Sequence, residues 1–146
     1  MTASDDATAD PRVDLLVNID VGHLDRAIAF YVEGLGFRLS RRLGPEAAEL
    51  EGASSRVYLL EKRDGEAPFA GARSQRTWDR HWTPVHLDLV VDEIEPALRL
   101  AEDAGARREG EVREYEWGRH AVLSDPFGNG FCLLQFLGRG YDVLEG

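Results

Sequence analysis

An α+β protein made of two βαβββ modules is the fold class this sequence predicts, and three observations predict it. Apolar and polar residues alternate over 13–20 and again over 85–91, the period of a strand with one buried face. Each alternating stretch leads into a segment with apolar residues at helical spacing that ends at glycine. The two halves also keep one register, because Leu16 corresponds to His86 and Ala27-Ile28 to Ala97-Leu98 at the same offset.

Taken in order, residues 1–12 are small, polar and acidic and are expected to form a mobile tail. The first module spans 13–61. Its opening strand turns Val13, Leu15, Val17 and Ile19 to one face and Leu16, Asn18 and Asp20 to the other. A helix of about three turns over 23–34 carries Leu24, Ala27, Ile28, Tyr31 and Val32 on one side. Strands over 37–43, 47–50 and 56–61 follow, divided by Gly44-Pro45 and by Gly52-Ala53-Ser54-Ser55. A connection over 62–84, rich in Gly, Pro, Arg and Trp, lacks any period.

The second module spans 85–136. Val85, Leu87, Leu89 and Val91 share one strand face, and His86, Asp88 and Val90 share the other. The helix over 93–104 tolerates Pro96 because it falls in the first turn, and Gly105 ends it. Strands are expected over 107–114, 119–124 and 131–136, the last two joined by a turn over 125–130. Residues 137–146 form a C-terminal tail in which Val143 and Leu144 are the apolar hints of a dimer contact.

Composition narrows the partners. With 17 Lys and Arg against 27 Asp and Glu the net charge is −10, so phosphate backbones and anionic membranes are repelled at long range. No apolar run approaches the roughly 20 residues of a membrane span. Cys132 is the single cysteine and the N-terminus lacks a signal-peptide pattern, so the expected location is the cytoplasm. No phosphate-binding glycine loop, GxSxG elbow or Cys-x-x-Cys pair occurs.

The run Leu24-Asp25-Arg26-Ala27-Ile28-Ala29-Phe30-Tyr31, then Leu35-Gly36-Phe37, resembles the helix signature of the glyoxalase/bleomycin-resistance/dioxygenase superfamily, the vicinal oxygen chelate proteins. Trp117-Gly118-Arg119, then Ser124-Asp125-Pro126-Phe127-Gly128-Asn129-Gly130-Phe131 with Gln135, is similar to its closing hairpin. The resemblance covers about 13–136. It implies a mixed sheet curled into a cup with helices outside, often within a homodimer. Members with metal chemistry take ligands from slots that fall on Leu16, Tyr58, His86 and Cys132. Only His86 is the usual ligand type, and Cys132 stands where a glutamate is expected. A cup without a metal cofactor is therefore the expectation, with Fe, Mn, Ni or Zn as the alternative.

His86 faces away from the core side of its strand, either as a ligand, base or donor to a bound carbonyl, or held by Asp88 on the same face. Cys132 is either a soft ligand or nucleophile beside His86 or a core residue among Phe131, Leu133 and Leu134. Asn18 and Tyr58 offer an amide and a phenol to a polar ligand group. Trp78, Trp82, Phe69 and Trp117 are either an aromatic lid or ordinary packing, while Arg73, Arg76 and Arg80 in the same loop would suit an anion. His23, His81 and His120 are given no catalytic role.

Three functions follow. The first is a metal-independent protein that sequesters a small organic ligand through aromatic burial and contacts from His86, Asn18, Tyr58 and Asp88. The second is a divalent-metal-dependent lyase, isomerase or extradiol-type dioxygenase acting on vicinal oxygens through His86. The third is an accessory subunit with a filled cup.

Overall fold

The computed structural model describes residues 13–146, so the tail expected over 1–12 lies outside the described residues. Module one runs β1 (Leu16–Val21), α1 (Leu24–Ala29) continuing into a π-helical turn (Phe30–Gly34), β2 (Arg38–Arg42), β3 (Ala47–Glu51) and β4 (Arg56–Glu61). Module two runs β5 (Leu87–Val90), α2 (Ile94–Asp103), β6 (Arg107–Arg108), β7 (Arg113–Tyr115), β8 (Gly118–Ser124) and β9 (Gly130–Phe136). A short 3₁₀ turn, Gly140–Leu144, closes the chain. This is the α+β arrangement of two βαβββ modules, with two mixed sheets that do not close into a barrel.

The sheets repeat one plan. Sheet one has the order β1-β4-β3-β2 and sheet two β5-β9-β8-β6, with β7 also on β8. β1 runs parallel to β4 and β5 parallel to β9, while the other pairs are antiparallel. Among the described residues β1 and β5 are therefore edge strands, each with a strand partner on one side only. The parallel crossover needs a connection long enough to hold a helix, and α1 and α2 supply it.

Strand phase sorts the faces as the alternation predicts. Val21, Val57, Leu59, Ala48 and Leu50 of module one and Ala121, Leu123, Phe131 and Leu133 of module two turn toward the helices and share one buried cluster with Phe30, Ile94 and Leu98. The modules thus share a core, and truncating Leu59 or Leu133 to Ala should cost about 2–5 kcal/mol. The opposite strand phase, away from the α1 and α2 core, carries Asn18, Glu49 and Tyr58 in module one and Asp88, Val122, Cys132 and Leu134 in module two.

Local departures have physical causes. The first helix is six α-helical residues followed by a π turn, which lets the consecutive Phe30 and Tyr31 both be buried. A Cβ on Gly34 would lie 2.7 Å from the Cβ of Ala104, so this residue allows the two helix ends to approach. β1 begins at Leu16 rather than Val13, paired there with Arg56, the first residue of β4, and β5 begins at Leu87, paired with Phe131. His86 consequently sits one residue before its strand. The strand expected over 107–114 is split into β6 and β7 by Gly110, whose φ is +107°. Among the described residues no helix is long and apolar enough to cross a membrane.

Candidate functional site

A pocket of about 680 Å³ opens along the seam between the two modules. Val17 and Ile19 from β1, Leu87 and Leu89 from β5, and Leu35, Phe37 and Phe131 give it apolar walls. Asn18, Asp20, His86 and Asn129 add polar groups, and the connection over 74–83 with Val85 forms the remaining side. Edge strands explain the position, because among the described residues neither β1 nor β5 has a second strand neighbour where the modules meet.

Buried polar anchors hold the pocket's far end. The Asp125 carboxylate is 4% exposed; its Oδ1 accepts from the backbone N–H of Phe127 (2.8 Å) and Asn129 (3.0 Å). Its Oδ2 accepts from the Tyr31 hydroxyl (2.7 Å) and Asn129 Nδ2 (2.9 Å). Burial, then the Asp125 charge, pushes the Tyr31 phenol well above its ordinary range. Asn129 Nδ2 also donates to the Asp20 carbonyl (3.0 Å), joining module two to β1.

The connecting segment is fastened over this hub. His81 Nε2 lies 2.8 Å from Asn129 Oδ1, and its backbone N–H donates to Gly128 O (3.2 Å). Gly128 has φ +82°, and a Cβ there would run into the backbone of Asp79. Arg76 Nε donates to Asp20 Oδ2 (2.7 Å), and Arg80 pairs with Glu109. Two of the three arginines that sequence left open for an anion are thus already paired with carboxylates. His81 and Asn129 were not among the predicted ligand contacts; the Asp-Pro-x-Gly-Asn turn was the available signal for Asn129.

Four of the eight predicted ligand-binding residues line the seam: Asn18, Trp78, Trp82 and His86. Trp78 packs edge-on against Phe127 (6.2 Å between centroids) and lies against Gly22, whereas Trp82 is 78% exposed at the rim. Phe69 is exposed and does not line the pocket. Trp117 stacks on Tyr115 (5.0 Å, 5° between planes) and meets Phe136 and Tyr141, so it belongs to an aromatic cluster on module two's helix-free side. His23 caps α1 by accepting from Arg26 N, and His120 packs against the Trp117 cluster.

Tyr58 faces the helix-free side as its phase requires, but its hydroxyl donates to Glu49 Oε2 (2.7 Å). Glu49 is 3% exposed and also accepts from Ser40 Oγ (3.0 Å) and Arg41 Nε (2.9 Å), with Arg56 3.8 Å away. Hydrogen bonds from Arg41, then Tyr58, hold its carboxyl at about 2. Sequence reasoning missed this residue. The signal was a lone carboxylate between Ala48 and Leu50 in strand two-residue phase.

The remaining predicted residues, Asp88 and Cys132, gather with His86. Asp88 is the register partner of Cys132 across β5 and β9, and His86 lies two residues before Asp88. One ligand atom from each of the three lies within 4.8 Å of the others, and His86 Nε2 is 3.3 Å from Asp88 Oδ1. Burial, then the Asp88 carboxylate, pushes the Cys132 thiol up to about 11. A divalent ion of the kind the family resemblance implies would draw donors from both modules. Leu16 has none and Tyr58 is committed to Glu49, so the residues present do not fit such an ion.

Residues 16–134 match the glyoxalase-like domain family. The chain is 30% identical over 113 residues to an uncharacterized protein of Mycobacterium bovis, covering 75% of this chain and 74% of that protein. Its fold is similar to that of a glyoxalase/bleomycin resistance protein/dioxygenase family enzyme from Burkholderia phytofirmans, with TM-score 0.68, 24% identity, and coverage of 86% of this chain and 100% of that one. A genomically encoded fosfomycin resistance protein from Listeria monocytogenes superposes with TM-score 0.66 at 13% identity, covering 88% and 96%.

Proposed function

This chain belongs to the glyoxalase-like domain family, and from that premise we propose that it binds a small organic molecule in the seam pocket, as a cytoplasmic resistance or sequestration protein that needs no metal for affinity. The pocket carries the reading. At about 680 Å³, it falls within the usual range for small-molecule sites, roughly 300–1,000 Å³. Its walls combine apolar area with a few polar groups, the combination that supplies affinity and orientation respectively. Trp78 gives a flat indole surface, and Asn18 and His86 offer hydrogen bonds to a carbonyl or hydroxyl.

The partner of the chain in this reading is a second copy of itself. Val13, Leu15, Leu16, Trp82 and Val85 are large apolar side chains left exposed, some of which a dimer would take out of water. Sedimentation equilibrium tests this part: a homodimer supports it and a monomer across the concentration range rejects it.

The ligand reading is tested by screening a library of small aromatic and carbonyl compounds by calorimetry against the native chain and Asn18→Trp. Asn18 is exposed on β1, so the larger side chain enters the pocket without disturbing the core. Hits lost in Asn18→Trp support binding in the seam, and hits of equal affinity for both proteins place binding elsewhere.

One observation favours a second reading, a divalent-metal-dependent lyase, isomerase or extradiol-type dioxygenase: the proximity of His86, Asp88 and Cys132. An ion held there would supply Lewis acidity toward two vicinal oxygens of a substrate. His86 is the residue that borders both these donors and the pocket. His86→Ala should then remove bound metal and turnover together, and turnover that survives rejects this reading.

A further inference from the structure

The connecting segment presents His81 to two oxygens. Its Nε2 lies 2.8 Å from Asn129 Oδ1, and its Nδ1 lies 2.9 Å from the Asp79 carbonyl oxygen. The other end of the Asn129 amide fixes which atom His81 meets. Nδ2 donates to Asp20 O (3.0 Å) and to Asp125 Oδ2 (2.9 Å), which uses both of its protons and leaves Oδ1 for the imidazole. Both ring nitrogens therefore face oxygens that only accept. A neutral imidazole has one N–H and would set a lone pair against a lone pair at the other contact, whereas the imidazolium has two and satisfies both.

Little else fixes this part of the chain. Over 79–85 the one backbone–backbone hydrogen bond among the described residues runs from His81 N–H to Gly128 O (3.2 Å). Arg80 adds its ion pair with Glu109 and hydrogen bonds to His81 O and Gly128 O. The charged groups around the imidazole are Asp79 and Arg80 in its own segment, Asp125 behind Asn129, Asp20 on β1 in its pair with Arg76, and Glu109 in its pair with Arg80. His86, the pocket's other imidazole, turns to Asp88 instead (3.3 Å). Buried Asp125 takes its hydrogen bonds from two backbone amides, the Tyr31 phenol and the Asn129 amide, all of them neutral. A positive ring at His81 thus stands one amide away from a buried negative charge.

We infer that His81 is a proton-operated latch: as the imidazolium it holds 79–83 on the Asp125-Asn129 turn, and on losing its proton it lets the segment go. His81, Trp82 and Thr83 form part of the seam pocket's wall, so release uncovers that side of the pocket. Protons bound by the closed form favour it as pH falls, and the latch opens as pH rises. What the latch regulates rests on the ligand reading of the seam pocket, but the latch itself is tested without ligand. An empty compound screen leaves it standing, and a segment indifferent to pH leaves the pocket standing.

Imidazole nitrogen shifts and backbone amide exchange are followed by NMR on the ligand-free full chain from about pH 5 to about pH 8, the range in which histidine ordinarily changes charge. At the low end the His81 ring should show two N–H groups and its backbone amide should be protected. At the high end that protection, corrected for the intrinsic exchange rate, should have fallen about 10–100-fold, the worth of a hydrogen bond to a charged group, while amides of β8 and β9 keep theirs. His81→Gln, whose side chain donates without titrating, should abolish the pH dependence. Equal protection at both ends, protection that rises with pH, a singly protonated ring beside a protected amide at the low end, or a pH dependence that survives in His81→Gln would each overturn the inference.

Discussion

Replacing Tyr31 by Phe removes one hydroxyl and keeps the ring, and the geometry around that hydroxyl sets the size of the effect. The phenol donates 2.7 Å to Asp125 Oδ2, linking the helical segment of module one to the hairpin of module two. Both groups are buried, and the ring keeps its edge contacts with Phe30 (5.0 Å) and Phe37 (6.1 Å) in the variant. A hydrogen bond to a charged acceptor contributes about 1.5–3 kcal/mol. Unfolding entropy for a chain of this length is roughly 0.3 kcal/mol/K, so Tm should fall by about 5–10 °C. Thermal unfolding followed by circular dichroism and by calorimetry measures it. A double-mutant cycle with Asp125→Asn should show coupling of at least about 1 kcal/mol, because the two groups are in contact. A fall below about 2 °C, or additive effects in the cycle, would refute the claim that this bond ties the modules together.

Acid stability should depend on Glu49. Its carboxyl sits at about 2 in the folded chain against an ordinary 4.5, so its stabilising contribution is complete above the ordinary value and is lost as pH falls from there toward 2. Urea melts at stepwise lower pH should show this loss in the native chain, and Glu49→Gln should flatten it. Cys132, with its thiol raised from 9.0 to about 11, should be alkylated by iodoacetamide at pH 8 about 100-fold more slowly than an ordinary thiol. Asp88→Asn should recover part of that rate, since burial, the larger cause, stays in place; mass spectrometry at several pH values measures it.

What could be read from residues alone was phase, and what could not was register. The alternation around Val17 and Ile19 placed Asn18 on the opposite face, and the structure puts it there at the seam. The same reasoning turned Tyr58 to the cup side with Asn18, but its partner is decided by the pairing of Glu49 with Tyr58 across β3 and β4, which no periodicity encodes. Asp88 meets Cys132 for the same reason: two strands far apart in sequence are parallel neighbours in one register. Trp117 carried an aromatic signal without an address. Its partners include Tyr141, in a tail whose few apolar residues gave no helical or strand period. The edge positions of β1 and β5, which create the seam, follow from sheet order rather than from either strand's own residues.

The seam pocket as the site of ligand binding is tested most directly by NMR shift mapping on the isotope-labelled chain with a hit from the compound screen. The account predicts that perturbed resonances cluster at Asn18, Leu89, His86 and Asn129, with Trp78 moving among the indole signals. Perturbations gathered instead at Trp117, Phe136 and Tyr141 would contradict it, placing the ligand on the helix-free face of module two.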